Sequence, residues 1–145
     1  MSLSALVYRC RATLNIDAES LGATRDDRTG EYFFRTAQHD GKFPRETFIA
    51  YEFWIGNVMG VAELREELCT ITNDEDSILL KRCLYSGTHS GDVIELALLQ
   101  ALEYEVRTLL DRCGTRISEY LMAVLHGILE LIETAKRENN PIVFV

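Results

Sequence analysis

Three histidines are the residues of this chain whose neighbours could do chemistry. His126 and Glu130 lie four apart in a stretch with helical spacing, so they meet on adjacent turns. Glu119, Glu133 and Arg137 fall on the same polar stripe. A His-x-x-x-Glu pair can ligate a metal or set a general base against its acid, but two ligands do not make a zinc site without a third from elsewhere. The simpler account is a solvent-edge pair on a mostly buried helix.

His39 and Asp40 stand together in the loop AQHDGKFP, and His89 stands in SGTHSG among the hydroxyls of Ser86, Thr88 and Ser90. A histidine, a carboxylate and a hydroxyl brought together would form a hydrolytic constellation. Nothing in the spacing joins the two loops, and Gly-x-Ser-x-Gly does not occur. SGTHSG also leads toward a predicted helix start, where backbone N–H groups could take a phosphate. It has no Walker lysine, and Asp92 and Glu95 just beyond it would repel an anion. Turn and cap duties account for these residues more simply.

A different kind of site is suggested by Arg9, Arg11, Arg35, Phe48 and Trp54. The arginines fall on the side of the early strands expected to be wet, and the two aromatics fall on one side of a later strand. Arginine with large aromatics is the composition enriched at protein contacts. The competing expectation is that helices cover the aromatic side while the arginines pair with surface carboxylates. Cys10, Cys69, Cys83 and Cys113 are too dispersed for a zinc site or a thioredoxin-like motif, and three of them fall on apolar faces. No cofactor is implied.

The elements that must position these residues follow from periodicity. Residues 5–16 alternate, which predicts a strand with Leu6, Tyr8, Cys10, Ala12, Leu14 and Ile16 buried and Val7, Arg9, Arg11, Thr13 and Asn15 wet. The cluster Asp26, Asp27, Arg28, Thr29, Gly30 predicts a hairpin loop, with a strand over 31–36. Residues 47–55 alternate again and predict a strand, although Pro44 followed by Arg45 and Glu46 is also a respectable helix start. From Val58 the period becomes three to four, with Val58, Val61, Leu64, Leu68 and Ile71 on one side of a predicted helix.

The cap-type residues 73–77 precede a short predicted helix bearing Lys81 and Arg82 toward its end. Asp92 and Glu95 have capping-box spacing, and Gly114 marks a stop, so one long helix is predicted over 92–113. A second, over 116–137, follows after a short turn, which makes the two an antiparallel pair. The closing PIVFV reads as a strand that rejoins the sheet. The expected fold is therefore α+β in a single domain spanning 1–145. An N-terminal antiparallel sheet is packed by a helical half, and a mainly helical protein with one hairpin is the alternative.

Bulk properties bound the function. At 145 residues, with 47% hydrophobic and 26% charged side chains, the chain can bury a core without staples. No secretory signal is visible at MSLSALVYRC, which favours a cytoplasmic protein. The stretch LMAVLHGILELI at 121–132 spans only about 18 Å as a helix, short of a bilayer's roughly 30 Å. A formal charge of −8 opposes nucleic acid and anionic lipid as partners and favours a basic protein.

The leading expectation is a small acidic protein that binds and regulates another protein. Bacterial immunity proteins and antitoxins against nucleases share this size, charge and α+β character, as an analogy of class that no motif carries. The alternatives are a small enzyme using His39, Asp40 and His89, and a homo-oligomeric structural subunit, of which a homodimer is the simplest form.

Overall fold

The computed structural model describes residues 1–35, 42–73 and 75–145. Among the described residues, six strands and three α-helices form an α+β fold. Strands β1 (Ser2–Tyr8), β4 (Ile49–Asn57), β5 (Val93–Ile94) and β6 (Ile142–Phe144) make one antiparallel sheet in the order β4-β1-β6-β5. Strands β2 (Ala23–Arg25) and β3 (Tyr32–Phe34) form a separate hairpin. The C-terminal strand does rejoin the sheet, and it does so between β1 and β5, which ties the two ends of the chain together.

β1 begins earlier and ends sooner than its alternation suggested, and its sidedness is corrected. Leu3, Ala5 and Val7 join the main core, so Val7 faces the helices and not water. Leu6 is also fully buried, in a second cluster on the opposite face with Val93 and Val143, flanked by Tyr8, Ile49 and Val145. A central strand buried on both faces carries no clean polar alternation. Beyond Tyr8 the chain leaves the sheet in turns, so residues 9–16 are not strand. Glu138, buried near the end of the last helix, holds that departure by accepting the Cys10 amide at 3.0 Å and the Thr13 hydroxyl at 2.6 Å.

The β2–β3 hairpin is tied to the main sheet by polar contacts. Arg25 donates to Asn140, whose amide donates in turn to the Tyr8 carbonyl at 2.8 Å. Arg28 donates to the Gly91 carbonyl at 3.0 Å. Burial, followed by the charge of Glu31 on the hairpin, pushes the Tyr8 hydroxyl up to about 12.

α1 (Val58–Ile71) matches its predicted range, with Asn57 as N-cap accepting the Gly60 amide at 2.8 Å. The next helical segment is a single π turn, Leu79–Cys83, whose N-terminal amides are satisfied by one local and one distant side chain. Ser77 accepts from Leu80 at 3.1 Å, and Glu105 of α2 (Leu99–Cys113) accepts from Ile78 at 2.8 Å.

The capping-box reading of Asp92 and Glu95 is also corrected. α2 starts seven residues after Asp92, behind a 3-10 turn at Leu96–Leu98, and Val93 and Ile94 pair with β6 instead. α3 (Glu119–Glu138) starts at the Ser118 cap, which is itself held by Glu67 of α1 at 2.8 Å, and ends with Asn139 in the left-handed conformation. α3 lies under β1 and β4 and packs on α2, and its side chains at Leu121, Val124, Leu125, Ile128, Leu131 and Ile132 form the spine of the core.

Candidate interaction surface

β4 is one edge of the sheet, and two irregularities in its pairing shape what it presents. Ser4 pairs with Trp54 and Leu3 with Gly56, which leaves Ile55 as an extra residue. Val7 pairs with Tyr51 and Tyr8 with Ile49, which leaves Ala50 extra. The Ile55 carbonyl is taken by the Tyr120 hydroxyl of α3 at 2.7 Å. The bulge at Ala50 also switches the sidedness of the strand. Ile49 packs with the outer cluster, whereas Tyr51 and Phe53 pack with the main core.

Trp54 lies opposite Ser4 and is 60% exposed. Where β4 runs into α1, Val58 is also exposed, and Met59 is 69% exposed. The pairing of Ser2 with Asn57 brings exposed Met1 to the same end of the sheet. Four large apolar side chains thus stand in water at one end of an edge strand. Large exposed aromatics on an unpaired edge are a liability for a protein that binds nothing.

Carboxylates line the helix side of β4, Glu130 toward its Tyr51 end and Glu63 toward the Ile55–Tyr120 contact. Burial and then the charge of Glu130 raise the Tyr51 hydroxyl above its ordinary value, and burial and then Glu63 do the same at Tyr120. Glu130 and Glu63 are both exposed, so each leaves its negative charge facing solvent beside β4. Glu52 on the strand itself is paired with Arg45 at 2.6 Å.

Near the α1 end lies a second cluster, around His89. Its side chain is 2% exposed, with the ring 4.5 Å from that of Tyr85 and 4.4 Å from that of Phe144. Nε2 donates to the Cys83 carbonyl at 2.9 Å, since a carbonyl can only accept. Nδ1 has no hydrogen-bond partner and faces Asp92 Oδ2 at 3.5 Å, and the same carboxylate receives the Tyr85 hydroxyl. Burial first of all lowers the His89 pKa from its ordinary value, with Asp92 and the Cys83 carbonyl opposing.

The residues singled out from sequence are dispersed. His39 and Asp40 lie outside the described residues. His126 and Glu130 are both exposed on α3, and among the described residues no three His, Cys, Asp or Glu side chains gather as metal ligands. Both ring nitrogens of His89 are turned to a carbonyl and a carboxylate and none to a hydroxyl, while Ser86 and Thr88 bond each other at 2.9 Å.

Arg9 meets Phe48 through its backbone, its amide donating to the Phe48 carbonyl at 2.8 Å. The Phe48 ring joins Phe34 and Phe43 in an aromatic cluster with centroids 6.2 Å from each. Trp54 is six residues away, about 20 Å along an extended chain. Arg11 pairs with Glu19 at 3.3 Å, and Arg35 is exposed beyond β3.

Val58 and Met59 did not emerge from sequence as surface residues. Val58 falls in register with the buried stripe of α1, and only its place in the first turn leaves it outside the core. Asp92 was hidden by its resemblance to a cap. Comparison with protein-family models, with curated proteins and with solved structures finds no match for this chain. No helix among the described residues is long and apolar enough to cross a membrane.

Proposed function

We propose that this chain is a non-catalytic binding protein that captures a basic protein partner at the Trp54 end of its sheet and regulates it by occupying its surface. The observation that carries this reading is Trp54, the chain's one tryptophan, 60% exposed on an edge strand that runs into exposed Val58 and Met59. Covering an indole of that exposure is worth about 3 kcal/mol at the usual apolar coefficient. Tryptophan in such a setting is a favoured anchor of protein interfaces.

Charge selects the partner. A net charge of −8, with Glu63 and Glu130 beside the strand, speeds encounter with a basic surface and repels acidic ones. The same charge works against a second copy of this chain as the occupant. The action fits that of an immunity protein or antitoxin, in which binding itself is the effect.

A photo-crosslinking amino acid placed at position 54, and separately at position 104 on the exposed face of α2, tests this in cells that make the protein. The expected result is an adduct with one basic protein from position 54 and none from position 104. Equal capture at both positions, capture of an acidic protein, or an adduct with a second copy of the chain would overturn the reading.

A further inference from the structure

The register of β1 fixes which main-chain groups of β4 face outward. Ser4 exchanges both of its bonds with Val145, donating and accepting at 2.9 Å, so its N–H and C=O point to β6. Successive residues of a strand turn these groups to opposite edges, and those of Ala5 and Val7 therefore point to β4. Ala5 pairs with Phe53 and Val7 with Tyr51, whose own groups are taken up by β1. Glu52 and Trp54, opposite Leu6 and Ser4, turn theirs the other way. On that side β4 has no neighbouring strand, and among the described residues no hydrogen bond reaches the main chain of either residue. The bulges at Ala50 and Ile55 close the open stretch at both ends.

The two faces of β4 make different demands on a strand laid beside it. Tyr51 and Phe53 pack with the core on the helix side, where Glu130 and Glu63 are exposed and in no ion pair among the described residues. That side calls for cations. On the other face Glu52 is already paired with Arg45 at 2.6 Å, and Trp54 stands bare. That side calls for apolar cover.

We propose that β4 is extended by a strand of the partner, a short segment that alternates basic residues toward Glu130 and Glu63 with apolar residues over Trp54. This rests on the reading above, that a basic protein docks at the Trp54 end, and it names the manner of docking. The outward N–H and C=O of Glu52 and Trp54 supply the main-chain bonds, and the alternating side chains select the segment. The net charge of −8 opposes a second copy of this chain as the added strand.

A capped heptapeptide alternating lysine with valine serves as the probe, and exchange of amide protons with water, read by NMR on the full chain, is the measurement. In the protein alone the Glu52 and Trp54 amides should exchange at nearly unprotected rates and the Tyr51 and Phe53 amides slowly. Peptide at about ten times its dissociation constant should slow the Glu52 and Trp54 amides about tenfold and leave Tyr51 and Phe53 as they are. N-methylation of the alternate peptide residues whose amides face β4 should abolish this protection, while methylation of the other set should preserve it. A peptide alternating glutamate with valine should give none.

Slow exchange at Glu52 and Trp54 in the protein alone would overturn strand addition, because the edge would already be covered. So would the absence of protection by the lysine peptide, equal protection by the glutamate peptide, or the same response to both methylated sets. Shifts of the Trp54 indole without amide protection would overturn strand addition and leave the docking reading standing. The absence of both, together with no adduct from position 54, would remove the two readings at once.

Discussion

At the scale of single residues, buried charge is tolerated in this protein where a loop needs an anchor. Glu138 is the clearest case, since its carboxylate holds the turn after β1 from the far end of the chain. Burial works against its charge, but the Thr13 hydroxyl, the Cys10 amide and thiol and the Arg137 guanidinium together outweigh burial and hold the carboxyl below its usual range. A carboxylate with a lowered pKa stabilises the fold above its ordinary value, and that contribution is lost as pH falls through the folded one. Glu138→Gln is accordingly expected to cost about 1–3 kcal/mol in urea unfolding at pH 7, and less as the pH is lowered into the acid range. A loss that did not shrink on acidification would show that the side chain acts through shape and not charge. None of this was visible in sequence, where Glu138 sits next to Arg137 in what reads as a solvated helix end.

Among the elements, sequence reasoning succeeded where one period runs unbroken and failed where a tertiary contact intervenes. The range of α1 and the return of β6 to the sheet were legible, because a helical stripe and a Pro-bounded β-branched run each point to one outcome. The sidedness of β4 was not, because the bulge at Ala50 moves Ile49 to the opposite face from Tyr51. The start of α2 was misplaced because Asp92 and Glu95 imitate a capping box, while their carboxylates serve Tyr85 and Arg82. The amides at the start of the π turn are capped by Glu105, 27 residues away from Ile78, and no local pattern announces such a partner.

The seat of α3 on β4 depends on Gly127, where an added Cβ would lie 2.5–2.6 Å from the Phe53 ring. Gly127→Ala should gain about 1 kcal/mol of helix propensity but lose about 1–3 kcal/mol to displacement of that ring. A net loss of stability is expected in thermal or urea unfolding, relieved in the double variant with Phe53→Leu. If Gly127→Ala alone were stabilising, the close packing of α3 on the edge strand would be refuted.

For the molecule as a whole, the edge strand, the helix that flanks it and the overall charge converge on one end of the sheet. The helices cover one face, the chain ends are locked together by β6 between β1 and β5, and Trp54, Val58 and Met59 are left in water at the β4–α1 corner. The candidate site was only partly legible. Trp54 was marked by its type, but its apolar neighbours were hidden in a helical stripe, and Arg9, Arg11, Arg35 and Phe48 turned out to lie elsewhere or in other pairings.

Because Trp54 is the chain's one tryptophan, its intrinsic fluorescence reports directly on the proposed contact. Titrating the protein with the purified basic partner recovered by crosslinking should blue-shift and saturate the Trp54 emission at low ionic strength. The affinity should fall steeply in about 1 M salt, where the screening length shrinks to about 3 Å. Binding that left the Trp54 emission unchanged, or that was indifferent to salt, would contradict the account.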